Sequence, residues 1–192
     1  RRAGTPPPGE GGHLLQSNRI GTDETGTIDR GNGGDGIFIE NTPNTRIGGK
    51  SVLGNIISAN KGWGIHILGR DQAETGQPNS AFGNILEGNM IGQDFSRTVV
   101  LPNLKGGVFD ESAPQNRIGG TEPGQGNNIV GVEKGISVEG SLAKGVLIIG
   151  NFIGKDGTGA KFRAGISTRA GEQLVIQGNI LTNIDSVGLD IY

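Results

Sequence analysis

Five residues of this 192-residue chain, Phe38, His66, Phe109, Glu111 and Glu139, stand where their side chains could act on a ligand. The first three each lie two places after the glycine that opens a segment of alternating apolar positions: Gly36-Ile-Phe-Ile, Gly64-Ile-His-Ile and Gly107-Val-Phe-Asp. Aromatic rings that recur at one outward position over a polar surround form a surface on which sugar rings stack. The plainer reading is that neighbouring loops use these rings as apolar anchors and cover them. Glu111 and Glu139 hold matching positions at the ends of consecutive segments. Two carboxylates about 5 Å apart are the arrangement of a retaining glycosidase, and two separate solvated carboxylates are the alternative. No catalytic residue, cofactor or metal is assigned. The chain has no cysteine, which excludes disulfides, thiol catalysis and cysteine-ligated zinc.

Asp23, Asp94 and Asp156 each close an Asn-X-Ile-Gly-X-Asp unit, beginning at Asn18, Asn89 and Asn151. Carboxylates at such corners are candidate calcium ligands. Copies two coils apart, however, are separated by roughly 9 to 10 Å of stacked strands, whereas calcium needs oxygens at about 2.4 Å. One ion therefore cannot bridge them, and each aspartate is expected to accept backbone amides within its own turn.

The elements that must position these residues follow from the repeat. Six strand-one segments open at Gly36, Gly64, Gly107, Gly135, Gly165 and Gly188, at intervals of 28, 43, 28, 30 and 23 residues. Strand two is carried by Leu14–Gln16, Thr45–Ile47, Asn84–Leu86, Asn116–Ile118, Val146–Ile148 and Leu174–Ile176. Strand three follows Asn18, Asn55, Asn89, Asn128, Asn151 and Asn179, with Ile20, Ile57, Ile91, Val130, Ile153 and Leu181 pointing inward. Three short alternating strands per turn, with copies of each stacked in parallel, make an all-β solenoid: a parallel β-helix of about six coils. Coils of unequal length with corner loops predict the right-handed form. A longer period of 71 residues relates Gly36 to Gly107, Arg46 to Arg117 and Gly64 to Gly135, so the duplicated unit is a pair of coils. The asparagines are expected to stack as a ladder at the corner between strands two and three. The loops 22–35, 93–106 and 155–164 are expected to rim the outer face of strand one, with the insertion 69–82 at its other end.

The units Asn-X-Ile-Gly-X-Asp, the Arg-Ile-Gly-Gly of 46–49 and 117–120, and Gly-Asn-Gly-Gly-Asp-Gly at 31–36 resemble those of bacterial secreted or surface right-handed β-helix repeat proteins, within the pectate-lyase-like architecture. The resemblance runs from about Gly12 to the end. It implies the fold and an extracellular or cell-surface setting, and it implies no single activity, because this architecture hosts enzymes, adhesins and structural proteins alike. Trp63-Gly-Ile-His66 departs from the Trp-Ile-Asp-His signature of pectate lyases. The Asn-Thr-Asp, Asp-Asp, His-Gly and Arg-Ile-Lys set of polygalacturonases is missing.

Composition narrows the partners. A net charge of −2 with interspersed signs offers no basic stripe to nucleic acid. No apolar run reaches the roughly 18 residues of a membrane span, so neither nucleic-acid binding nor membrane insertion is expected. Residues 1–12 read as a linker or disordered lead-in, and 13–192 as one β-helix domain uncapped at both ends. Exposed end coils suggest head-to-tail self-association into a filament, or an excerpt of a longer β-helix. The expected function is an extracellular structural or adhesive scaffold that self-associates or contacts polysaccharide. The alternative is a polysaccharide lyase or glycoside hydrolase that uses the outer face of strand one.

Overall fold

The computed structural model describes residues 12–70, 81–131, 133–154, 162–170 and 172–192, the side chain of Ala170 aside. Asp156, most of the loops 69–82 and 155–164, and the lead-in before Gly12 lie outside them. Every chain segment that alternates apolar and polar residues pairs with its copy one coil on. The result is a right-handed parallel β-helix of three six-stranded, all-parallel sheets.

Strand one comprises Ile37–Glu40, Trp63–Leu68, Gly106–Glu111, Lys134–Gly140, Phe162–Ala170 and Ile184–Ile191. Strand two comprises Leu14–Leu15, Arg46–Gly48, Ile85–Glu87, Arg117–Gly119, Leu147–Ile149 and Val175–Gln177. Strand three comprises Arg19–Ile20, Ile56–Ile57, Met90–Ile91, Asn128–Ile129, Phe152–Ile153 and Ile180–Leu181. Ile37, Ile65, Val108, Ile136, Ile166 and Leu189 are register partners in a single inward column. Opposite them run Ile47, Leu86, Ile118 and Ile148 of strand two and Ile57, Ile91, Ile129 and Ile153 of strand three, all fully buried. Each such side chain removed from water contributes about 1.5 to 3 kcal/mol. The stacked aliphatics therefore do the work that large aromatics do in a thicker domain.

The invariant glycine of the Asn-X-Ile-Gly unit has a steric cause. Gly21, Gly92 and Gly154 all have left-handed φ, at 84°, 83° and 93°. A Cβ on any of them would overlap the carbonyl oxygen of Ser58, Val130 or Thr182 on the next coil. Only glycine allows both the turn and the close approach of the neighbouring backbone.

The expected asparagine ladder is present, with one correction. Its rungs are Asn18, Asn55, Asn89, Asn127, Asn151 and Asn179, not Asn128. Each side-chain amide donates to the Oδ1 of the next rung at 2.8 to 3.0 Å. The same Oδ1 also accepts the backbone N–H of the rung before it. The doublet Asn127-Asn128 permits two registers, and a one-residue slip inverts every side chain of a strand. With Asn127 in the ladder, Ile129 points inward and pairs with Ile91 and Ile153, so it replaces Val130 as the core residue. Two further ladders went unread: Asn32, Asn60 and Asn103 between strands three and one, and Thr45, Asn84 and Asn116 before strand two.

The paired-coil repeat is visible on the outer face of strand two. Arg46 and Arg117 flank Ile85 in register. Their guanidiniums grip the two oxygens of Glu87 at 2.7 and 2.8 Å. Glu87 is only 2% exposed, so two cations from two different coils neutralise one sequestered carboxylate.

Candidate functional site

The outer face of strand one carries the candidate site. Phe38, His66, Phe109, Ser137, Ser167 and Asp190 are register partners in one outward column, as the alternation requires. Because parallel strands repeat about every 4.8 Å, the first three rings meet. The rings of His66 and Phe109 stack with centroids 4.9 Å apart, and Phe38 meets His66 edge-on at 5.1 Å. Trp63 stacks on Phe109 from the side, at 4.9 Å. Its ring occupies the space that any side chain on Gly106 would need, so Gly106 keeps the indole flat against the sheet. Phe38 is 51% exposed at the open end of the row, while His66 and Phe109 are half-buried.

His66 is held between two carboxylates. Its Nδ1 lies 3.0 Å from Asp35 Oδ2 and its Nε2 lies 2.9 Å from Glu111 Oε2. Both contacts are hydrogen bonds only when two hydrogens are shared among the three groups, since each ring nitrogen faces an acceptor. Asp35 is itself fixed. Its Oδ1 accepts the Trp63 backbone N–H at 2.7 Å, and the glycines around it let Gly62 N–H reach the Gly34 carbonyl at 2.8 Å.

Glu139 belongs to a separate cluster. It pairs in register with Glu111, but each carboxylate is committed to a different basic partner. Lys134 Nζ reaches Glu139 Oε1 at 2.8 Å, and the Ser137 hydroxyl donates to the same oxygen at 2.8 Å. Partial burial raises the Glu139 carboxyl, and Lys134, Ser137 and Arg169 outweigh it, holding the group below the usual carboxylate range. The structure thus joins Phe38, His66, Phe109 and Glu111, and leaves Glu139 one coil away among polar groups. The expectation of two cooperating glutamates finds no support in these contacts.

Asp35 and Trp63 escaped the sequence reading. Both precede a strand-one glycine, at the position that Gly106, Lys134 and Ala164 hold in later coils. That second outward column was the available signal, and the reading followed only the column two places beyond the glycine.

The rim differs from expectation. The chain after Asp23 and Asp94 forms small hairpins, closed by antiparallel bridges Thr22–Asp29 and Gln93–Val100, which turn back over strand three. There Arg19 lies over the Phe95 ring at 5.8 Å. Only the end of the first loop, at Asp35, reaches strand one. The two aspartates do accept backbone amides. Asp23 Oδ1 takes the N–H groups of Thr27 and Ile28 at 2.9 and 3.0 Å, and Asp94 Oδ1 takes those of Thr98 and Val99 at 2.8 and 2.7 Å. These bonds, with the Thr25 hydroxyl, hold the Asp23 carboxyl far below its ordinary range. Among the described residues no group of three or more His, Asp or Glu side chains is arranged to hold a metal ion, and no helix is long and apolar enough to cross a membrane.

No family model matches the chain, and no curated protein or solved structure matches it.

Proposed function

We propose that this chain is an extracellular or cell-surface β-helix that acts as a rigid adhesive scaffold and holds polysaccharide against the outer face of strand one. The observation that carries the proposal is the aromatic row Trp63, Phe109, His66 and Phe38, fixed by sheet register and open at Phe38. Flat apolar rings with carboxylates beside them suit a sugar, which offers C–H faces for stacking and hydroxyls for hydrogen bonding. Three consecutive coils supply the row, so a polymer laid along the axis meets one ring after another with no reorganisation of the protein. The Asn-X-Ile-Gly-X-Asp and Arg-Ile-Gly-Gly units, which resemble those of bacterial surface β-helix proteins, support the extracellular setting.

The deciding experiment is retention on immobilised neutral and acidic polysaccharides, by affinity electrophoresis, of the parent chain and of the Phe38→Ala and Phe109→Ala variants. At least one polysaccharide is expected to retard the parent, with the retardation reduced at least fivefold in Phe38→Ala. Equal migration of parent and variant on every polymer overturns the reading. A second reading rests on one specific contact set, Asp35–His66–Glu111, in which an imidazole between two carboxylates could move a proton to or from a bound sugar. It makes the chain a polysaccharide lyase or hydrolase. New reducing ends in the same incubations, lost in His66→Gln, would favour it over the scaffold.

A further inference from the structure

The outer face of strand three carries a groove that plays no part in polysaccharide binding. Its floor is the outward column Arg19, Ile56 and Met90, in register across three coils. One wall is the 3₁₀ turn Ser51–Leu53, and the other is the hairpin that follows Asp94, bringing Phe95 and Arg97. The enclosed space is about 550 Å³, within the range of sites that hold small organic molecules. Val52 on one wall is 85% exposed and Phe95 on the other is 57% exposed. Both present apolar surface to the groove.

Two cations line this space without an acid to answer them. Arg19 contacts the Phe95 ring, and Arg97 Nε sits 3.4 Å from Met90 Sδ. Among the described residues neither guanidinium has a carboxylate partner. The nearby acids are already consumed: Asp23 is tied to Thr25, Thr27 and Ile28, and Asp94 to Ser96, Thr98 and Val99. Position 97 also departs from its twin. The duplicate hairpin has Gly26 there, 71 residues earlier, and both residues have left-handed φ, 75° at Gly26 and 61° at Arg97. The second hairpin thus places an arginine where the first has no side chain, and the guanidinium lines the groove.

We infer that this groove binds a small organic anion: a carboxylate carried on an extended or flat apolar body. The body lies on Ile56, Met90, Phe95 and Val52, and the carboxylate meets the guanidiniums of Arg19 and Arg97. Arginine suits the task because its planar fork donates two parallel hydrogen bonds to a carboxylate and is cheaper to desolvate than an ammonium. An uncharged apolar ligand would leave both cations unanswered, so charge decides between otherwise similar molecules.

The test titrates the folded chain with the fluorescent aryl sulfonate 1-anilinonaphthalene-8-sulfonate, then competes it with decanoate and with decanol. Expected are saturable one-to-one binding, displacement by decanoate at concentrations at least tenfold below decanol, and at least tenfold weaker probe binding in Arg19→Gln/Arg97→Gln. Val52→Asp, at the most exposed wall position, adds a like charge without touching the core and is expected to weaken the probe as well. Circular dichroism melts of each variant separate lost binding from lost fold. Absence of saturable binding, equal potency of decanoate and decanol, or undiminished binding in the folded double variant overturns the proposal.

Discussion

Asp110 occupies an inward position of strand one, in register with Ile67 and Val138, and is fully buried. Burial raises its pKa to about 7, against the opposing bonds from the Asn116 amide and the Ala113 backbone. Asn116 Nδ2 donates to Oδ2 at 2.9 Å, while Oδ1 has no partner. A carboxyl whose folded pKa is raised is destabilising once ionised. Its effect is absent below the unfolded value of 3.8 and grows until the pH passes the folded value near 7. A rise of about 3 units corresponds to about 4 kcal/mol in full. Of this, about 3 kcal/mol falls between pH 5 and pH 8 when the two titrations are integrated. For a chain of this size each kcal/mol moves Tm by about 2 to 4 °C, so Tm is expected to fall by about 6 to 12 °C over that interval. Asp110→Asn, which cannot ionise, is expected to lack this component and to melt higher than the parent at pH 8. The assay is a pair of thermal melts across the interval, and subtracting the variant cancels every other group that titrates there. Parallel Tm profiles for parent and variant would refute the burial argument.

Three other perturbations probe the devices that hold the coils. Glu87→Ala leaves the Arg46 and Arg117 guanidiniums facing each other and is expected to destabilise by about 2 to 4 kcal/mol in denaturant melts. Asn89→Ala removes a ladder rung that donates to Asn127 and Ile47 and accepts from Asn55. It is expected to lose about 2 to 3 kcal/mol, because buried partners on both sides are left unsatisfied. Burial raises the Asp94 carboxyl, but its bonds to Ser96, Val99 and Thr98 outweigh that, and the group lies below the usual range. Its contribution is therefore full above 3.8 and disappears as pH falls through the depressed folded value. Hydrogen exchange at the Thr98 and Val99 amides is expected to lose protection only in that acid range, and at every pH in Asp94→Ala.

How legible these features were depended on whether a local signal was unambiguous. Glycines followed by alternating aliphatics placed strand one in every coil, because period-two patterning and a glycine corner admit one arrangement. The Asn127-Asn128 doublet admitted two, and only the inward demand of Ile129 chose between them. Asn32, Asn60 and Asn103 are joined across loops of unequal length, so no constant spacing announces their ladder. Phe38, His66 and Phe109 emerged from a single column. Asp35 and Trp63 required reading the column ahead of the glycine, whose occupants change from acid to aromatic to glycine to lysine. The direction in which the Asp23 and Asp94 hairpins fold was not encoded in any periodicity. It depends on Gly26 lying against Ile56 and Phe95, a contact between coils.

The clamp of Arg46 and Arg117 on Glu87 constrains how such a chain can lengthen. An extra single winding between these residues would place an arginine opposite an arginine, or strand the acid without a mate, whereas insertion of two windings restores the alternation. Natural variants are thus expected to differ in length by even numbers of windings in this part of the solenoid. An odd insertion would have to carry its own replacement for the acid.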